Sequence, residues 1–178
     1  MDRYVALLRG INVGGKNKLS MSELKEELKK DEFTDVVTYL NSGNVIFSSN
    51  REDPQILANK MRTRIKLGFE LDIPIHVILQ AELKELLANA PEWWGDENKE
   101  IYDNVIFMMK PLSFEVLLTE IGEPKADFER VYPYKDIVFW SFIRKEHQKT
   151  NWWAKTAKPK VKDQLTIRTA NTVRKIVD

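Results

Sequence analysis

Residues 4–24 read YVALLRGINVGGKNKLSMSEL, and the order of signals in this stretch sets the start of the predicted fold. Four consecutive apolar residues at positions 5–8 suit a central strand that is covered on both faces. A loop with three glycines follows, and glycine reaches positive φ without a steric penalty, so the chain should fold tightly there. Ser20 and Glu23 then form a Ser-x-x-Glu capping box, which predicts a helix that begins near Met21.

The following segments extend this order to βαββαβ. Two β-type runs flank Asn41-Ser42-Gly43-Asn44, which is turn chemistry and predicts a hairpin. Asp53-Pro54 marks a helix start, and Gly68 is expected to stop that helix. Residues 73–79 form the next predicted strand. The order is that of the split βαβ, or ferredoxin-like, arrangement.

A similar order of elements is predicted again in the second half, including a helix over residues 145–156. The expected fold is therefore α+β, with two tandem ferredoxin-like (βαββαβ) subdomains whose antiparallel sheets pack into one compact unit. The predicted boundaries are 1–80 for the first subdomain, 81–102 for a helix and connecting loop, and 103–178 for the second subdomain with a C-terminal helix.

Composition narrows the class of protein. The chain has 178 residues, of which 43% are hydrophobic and 31% charged, as in an ordinary globular protein. It contains no cysteine, which excludes disulfides, thiol nucleophiles and thiolate metal sites. The longest apolar run, at residues 105–109, is far shorter than a membrane span, and no signal region precedes the first strand. We therefore expect a soluble, cytoplasmic protein with no membrane partner.

Charge is distributed unevenly although the net charge is only +1. Residues 144–178 carry ten Lys or Arg and three Asp or Glu, so the rest of the chain is acidic. Such asymmetry is typical of an end that binds a polyanion. Attraction between the basic segment and the acidic remainder within the fold is the preferred explanation, since no block of five like charges occurs, and the sequence leaves both readings open.

Topology predicts one composite surface. In a ferredoxin-like sheet the first and third strands are antiparallel neighbours, so the glycine loop at residues 10–18 and the 41–44 turn should lie at the same end. The loop at residues 68–72 should lie there too. The predicted ligand-binding residues are Arg9, Gly10, Asn12, Gly14, Gly15, Lys16, Asn41, Ser42, Gly43 and Asn44.

The glycine loop nearly matches Gly-x-x-x-x-Gly-Lys-[Ser/Thr], the phosphate-cradling loop of ATPases. Asn17 stands where a hydroxyl should hold magnesium, and the helix begins several residues late, so an ATPase is rejected. A weaker prediction remains, in which backbone N–H groups form an anion-binding nest and Lys16 or Lys18 adds charge. The alternative is a merely tight strand-to-helix crossover.

Catalytic and metal chemistry has little support in the sequence. The two histidines, His76 and His147, have no partner at metal-ligand spacing, and no Gly-x-Ser-x-Gly elbow occurs. We therefore predict no metal and no cofactor, and we assign no catalytic residue.

One aromatic pair stands among basic residues. Trp152-Trp153 lie within a lysine-rich stretch, which is the mixture that binds single-stranded nucleic acid. Adjacent helical residues do not share a face, so only one of the two could meet a ligand while the other packs. Core packing is the expected use of Trp140 and of at least one of this pair.

A family resemblance rests on residues 4–17, Met21, Leu24 and residues 38–47. These segments resemble the opening of a bacterial family known as the domain of unknown function numbered 1697. The usual C-terminal signature, Thr-x-Arg-Asn-Trp-Asn-Thr, is changed at residues 166–172, where the Asn-Trp pair is replaced by Thr169-Ala170. The resemblance implies a tandem α+β architecture and supplies no activity.

Three functional hypotheses follow. The first is a non-catalytic protein that binds an anionic ligand, the phosphate group of a nucleotide or nucleic acid, at the two loops. The second is an enzyme that acts on a small phosphorylated or carboxylated substrate at the same loops. The third is a structural or protein-interaction module in which the glycines only form turns. The oligomeric state is not indicated by the sequence.

Overall fold

The computed structural model describes all 178 residues, and the chain divides into two compact units. The first comprises Met1–Lys84 and Ile176–Asp178, and the second comprises Glu85–Lys175. Each contains a four-stranded antiparallel sheet with helices, so the protein is of the mixed α+β class. None of the helices combines the length and the apolar character that spanning a bilayer requires.

The first unit follows the predicted element order. Its strands are β1 (Asp2–Leu8), β2 (Thr34–Tyr39), β3 (Asn44–Ser49) and β4 (Ile75–Leu79). Its helices are α1 (Met21–Leu28) and α2 (Pro54–Phe69), and α3 (Gln80–Ala88) follows β4. The strands lie in the order β2-β3-β1-β4. Because β1 and β3 are antiparallel, with Leu7 opposite Asn44, the end of β1 lies beside the start of β3.

The predicted helix caps of this unit are present, and so is the covered central strand. Ser20 Oγ accepts a hydrogen bond from the Glu23 N–H, and the Asp53 carboxylate accepts one from the Gln55 N–H at 2.7 Å. Residues 4–8 of β1 are all buried, as expected of a central strand. The two helices cover one face of the sheet through apolar side chains that are buried with those of β1 and β3: Leu24, Leu28, Leu57, Met61, Ile65, Tyr4, Ala6 and Phe47.

Gly68 does not stop α2, contrary to the prediction. The helix continues to Phe69, and Glu70 takes the left-handed conformation (φ 58°) at its end while its N–H bonds the Lys66 carbonyl at 3.0 Å. A Cβ at Gly68 would lie 2.6 Å from Glu27 Cδ. The glycine is therefore explained by the close approach of a side chain from α1, and sequence alone could not distinguish that from a helix terminus.

The second unit repeats the strand pattern. Its strands are β5 (Ile101–Met108), β6 (Glu129–Tyr134), β7 (Ile137–Ile143) and β8 (Leu165–Thr169), in the order β6-β7-β5-β8. Its helices are α4 (Phe114–Ile121), α5 (Trp152–Lys155) and α6 (Ala170–Ile176), with 3-10 turns at Arg144–Lys149 and Lys162–Gln164. Ser113 caps α4 and Gly122 ends it.

The single helix predicted over residues 145–156 is wrong. The chain is extended at Thr150 (ψ 159°), which separates the 3-10 turn from the short helix α5. The Glu129 carboxylate accepts hydrogen bonds from the backbone N–H groups of Asn151 and Trp152. These groups are thereby taken from the continuous i to i−4 ladder that the predicted helix would need. A tertiary contact, invisible in local sequence, breaks the helix.

Candidate functional site

The glycine loop folds as a miniature hairpin. The Asn12 N–H bonds the Asn17 carbonyl at 3.1 Å, and the Lys16 N–H bonds the Val13 carbonyl at 3.0 Å. The two residues at the tip, Gly14 and Gly15, have φ values of 57° and 75°. Positive φ at both central positions is the requirement of a type I′ turn, the two-residue turn that matches strand twist. The loop is therefore a defined projection and does not wrap a central cavity.

Asn12 holds the base of this hairpin. Its Nδ2 donates to the carbonyls of Leu19, at 2.9 Å, and Asn41, at 2.8 Å. Its Oδ1 accepts from the Leu19 N–H at 2.8 Å. Asn17 adds a fourth side-chain bond, from Nδ2 to the Gly10 carbonyl at 3.0 Å. The asparagines therefore fix the loop backbone, and both occupy the left-handed region (φ 54° and 48°) that asparagine tolerates.

The 41–44 turn packs against the root of the hairpin. The Gly43 carbonyl accepts from the Leu8 N–H at 2.9 Å. A Cβ at Gly43 would lie 2.8 Å from both Ile11 Cδ1 and Leu8 Cβ, and φ there is 94°. Asn44 is fully buried and donates from Nδ2 to the Tyr39 carbonyl at 2.8 Å and to Ser42 Oγ at 3.1 Å. Only glycine fits this junction.

The structure thus brings together the two loops that topology predicts as neighbours. The Asn12–Asn41 bond and the Gly43 contacts join them directly, and the Arg9 N–H bonds the Pro74 carbonyl at 3.0 Å in the chain segment before β4. We call residues 10–18 together with residues 41–44 the two-loop platform. Its exposed residues are Gly14, Gly15, Lys16, Asn17, Lys18, Asn41 and Ser42, together with Val13, which is 64% exposed.

The ten predicted site residues divide by role. Three of them hold the platform together: Asn12, Gly43 and Asn44. The two asparagine side chains donate hydrogen bonds to backbone carbonyls, and Gly43 permits a close approach that a side chain would prevent. Arg9 and Gly10 are half-buried at its edge. The others are exposed to solvent: Gly14, Gly15, Lys16, Asn41 and Ser42.

The exposed part of the platform is electropositive. Residues 10–18 and 41–44 contain no Asp or Glu, and neither Lys16 nor Lys18 has an ion-pair partner. The N–H groups of Gly14 and Gly15 have no hydrogen-bond partner in the protein. The surface therefore carries two ammonium groups and two free N–H donors, and no carboxylate.

The side chains that commonly bind metal ions do not cluster in this protein. No three His, Cys, Asp or Glu side chains come close enough to share an ion. Both histidines are half-buried, and His147 Nδ1 lies 3.2 Å from the Arg144 carbonyl.

A cleft of about 500 Å³ in the first unit was not predicted from sequence. It lies beside α2, and its charged rim is internally paired. Arg64 donates to both carboxylate oxygens of Asp31, at 2.7 and 2.8 Å, and Lys60 bonds Glu32 at 2.8 Å. The Arg64 bond holds the pKa of Asp31 below its ordinary value. Because these charges satisfy one another, the cleft offers a ligand little unpaired charge.

A buried carboxylate in the second unit was also missed. Glu129 accepts hydrogen bonds from Trp140 Nε1 at 3.0 Å and from the N–H groups of Lys125, Asn151 and Trp152. Four donors on one carboxylate explain how a charge is accommodated at 3% exposure. The available signal was strand periodicity, because alternation in β6 places residue 129 on the inward face with Val131.

A second buried polar pair lies on the other face of that sheet. Ser141 Oγ donates to the Asp103 carboxylate across the β5–β7 pair, and both residues are buried. A cavity of about 280 Å³ reaches Ser141, with Trp93, Phe128 and Ile143 among its lining residues. These residues belong to the second unit, whereas the predicted site residues belong to the first.

The chain belongs to the family described as "Protein of unknown function (DUF1697)", whose model matches residues 1–139. This confirms the resemblance read from the opening segments. A solved structure titled "The structure of conserved bacterial protein SP0830 from Streptococcus pneumoniae" is similar to the chain at 29% identity. The match covers 99% of this chain and 97% of that one, with a TM-score of 0.84. The comparison with curated proteins returned no match.

Proposed function

We propose that this family member is a non-catalytic protein that binds phosphate groups of a nucleotide or nucleic acid through the two-loop platform. One observation carries the proposal: two lysines without acidic partners, Lys16 and Lys18, lie on the same loop as the free N–H groups of Gly14 and Gly15. Hydrogen bonds within the protein hold this loop in one conformation before any ligand binds. A pre-organised loop loses little conformational entropy on binding. In the proposal the two units are tandem ferredoxin-like subdomains in a cytoplasmic protein.

Phosphates on a polymer suit the platform better than a free metabolite does. The platform is a projecting hairpin with an exposed tip, whereas small molecules bind in concave sites that bury most of their surface. Neighbouring phosphates on a nucleic acid strand could each meet one cationic group without enclosure. The polymer version is therefore the preferred form of the proposal.

The alternative enzyme would act on a small phosphorylated or carboxylated substrate at the same loops. It would need a nucleophile or base near Lys16, and the amides of Asn12 and Asn44 are engaged with backbone carbonyls. Ser42 Oγ already accepts a hydrogen bond from Asn44 Nδ2 at 3.1 Å. These observations favour binding over turnover.

The test compares two charge-matched double variants. Lys16→Ala with Lys18→Ala removes both platform lysines, and Lys29→Ala with Lys84→Ala removes two exposed lysines from other parts of the first unit. Binding to a fluorescent ten-nucleotide thymidine strand is measured by anisotropy over a salt series. The affinity of the wild-type protein should fall steeply with salt, and the platform variant should lose about two from the salt slope.

The control variant should keep a slope close to that of the wild-type protein. Equal salt slopes for the two double variants would show that the platform does not contribute to binding. Absence of wild-type binding to this strand and to inorganic tripolyphosphate would overturn the proposal as a whole.

A further inference from the structure

The basic segment at residues 144–162 holds seven Lys or Arg and only one Glu, and the platform does not use it. It folds as the 3-10 turn Arg144–Lys149, the short helix α5 and the chain that follows. Lys145, Lys155 and Lys158 have no ion-pair partner, whereas Lys149 is paired with Glu146 at 2.9 Å. The segment therefore presents unpaired positive charge.

The two adjacent tryptophans of this segment have opposite environments. Trp152 is fully buried and donates from Nε1 to the Gly122 carbonyl at 3.0 Å. Trp153 is 45% exposed. The sequence predicts such a division, because neighbouring helical positions face different directions. Packing explains the first tryptophan and leaves the second unexplained.

Trp153 is held in place while remaining exposed. Its ring lies 4.8 Å from the His147 ring and 5.5 Å from the Phe142 ring, at interplanar angles of 63° and 72°. The backbone N–H of Trp153 donates a hydrogen bond to Thr150 Oγ1 at 3.2 Å. Both ring contacts are edge-to-face, so the protein supplies no parallel partner for the indole. A fixed aromatic surface without a stacked neighbour is the form that nucleic acid bases use.

We propose that Trp153 stacks on a base of single-stranded nucleic acid while Lys145, Lys155 and Lys158 contact the adjoining phosphates. We call these four residues the Trp153 surface. Charge complementarity selects the partner, because an exposed indole in a segment that carries unpaired lysines matches a strand that offers both bases and phosphates. A duplex hides its base faces, so the single strand is the partner. This inference does not depend on the two-loop platform.

The test separates bases from phosphates. A ten-nucleotide thymidine strand and an abasic strand of equal length carry the same backbone charge, and only the first can stack. The wild-type protein should bind the thymidine strand about 5- to 150-fold more tightly. Trp153→Ala should abolish this ratio, whereas Trp153→Phe should retain most of it.

Tyr132→Ala is the matched control, since Tyr132 is 43% exposed and belongs to the same unit. It should leave the ratio unchanged, and far-UV circular dichroism verifies that each variant is folded. The proposal is overturned if Trp153→Ala keeps the wild-type ratio, if Tyr132→Ala lowers it equally, or if the wild-type protein does not distinguish the strands. Loss of the platform lysines should weaken binding to both strands by the same factor and leave the ratio of the two affinities unchanged. Failure of the first proposal would therefore be recognised separately from failure of this one.

Discussion

Replacing Asn12 tests how the two-loop platform is held together. The side chain makes three hydrogen bonds, two from Nδ2 and one to Oδ1, at 2.8 to 2.9 Å. Each contributes about 1 kcal/mol net, so their loss should cost about 2–3 kcal/mol, the lower value reflecting replacement by water at a half-exposed site. An alanine at φ 54° adds about 1 kcal/mol of backbone strain.

Three variants separate these contributions. Asn12→Gly loses the bonds and accepts the backbone angle, so it should be about 1 kcal/mol more stable than Asn12→Ala. Asn12→Asp keeps the acceptor for the Leu19 N–H but turns a carboxylate oxygen toward the carbonyls of Leu19 and Asn41. It should therefore destabilise at least as strongly as the glycine variant.

The assay is hydrogen exchange at the Leu19 amide, combined with urea unfolding. Local exchange reports the Leu19–Asn12 bond even if the two units unfold separately. A loss of about 2 kcal/mol corresponds to roughly 30-fold faster exchange, because 1.4 kcal/mol is a factor of ten. Unchanged Leu19 protection in all three variants, with stability within about 0.5 kcal/mol of wild type, would refute the reasoning.

Further predictions concern other contacts. Gly43→Ala should destabilise by more than about 2 kcal/mol in urea unfolding, because its Cβ would clash at 2.8 Å and φ is 94°; wild-type stability would contradict this. Glu129→Gln should cost about 3 kcal/mol and reduce the near-UV circular dichroism of the tryptophans, since an amide cannot accept from four donors; an unchanged spectrum would count against it. Arg64 lowers the pKa of Asp31 in the folded protein. The ion pair therefore stabilises the folded state at pH values above the ordinary aspartate pKa, and this stabilisation is lost as the pH falls below about 4. Arg64→Lys should therefore reduce stability at pH 7 more than at pH 2.5, because lysine cannot make the two-point contact with the carboxylate; an equal loss at both pH values would exclude the ion pair as the cause.

Local sequence signals predicted the first unit because each of its elements carries its own marker. The Ser20 and Asp53 caps and the 41–44 turn are short-range features, and strand order then placed the two loops together. The contact between the two loops could therefore be predicted from topology. The tight fit of Gly43 against Leu8 could not be predicted, because it depends on how the chain packs at atomic distance.

Long-range polar contacts account for what the sequence could not reveal. The break at Thr150 depends on Glu129, which lies more than twenty residues earlier and captures two N–H groups of the expected helix. The position of Gly68 within α2 depends on Glu27 from another helix. In both cases a local rule predicts one structure and a tertiary contact selects another.

The most direct test of the platform is a titration of the ¹⁵N-labelled protein with inorganic tripolyphosphate, which carries phosphates and no bases. The largest amide shifts in the first unit should fall on Gly14, Gly15 and Lys16, and they should diminish with salt. They should also disappear in the Lys16→Ala, Lys18→Ala double variant. If these three amides do not shift at concentrations that shift others in the first unit, or if they shift equally in the double variant, the platform is not a phosphate site.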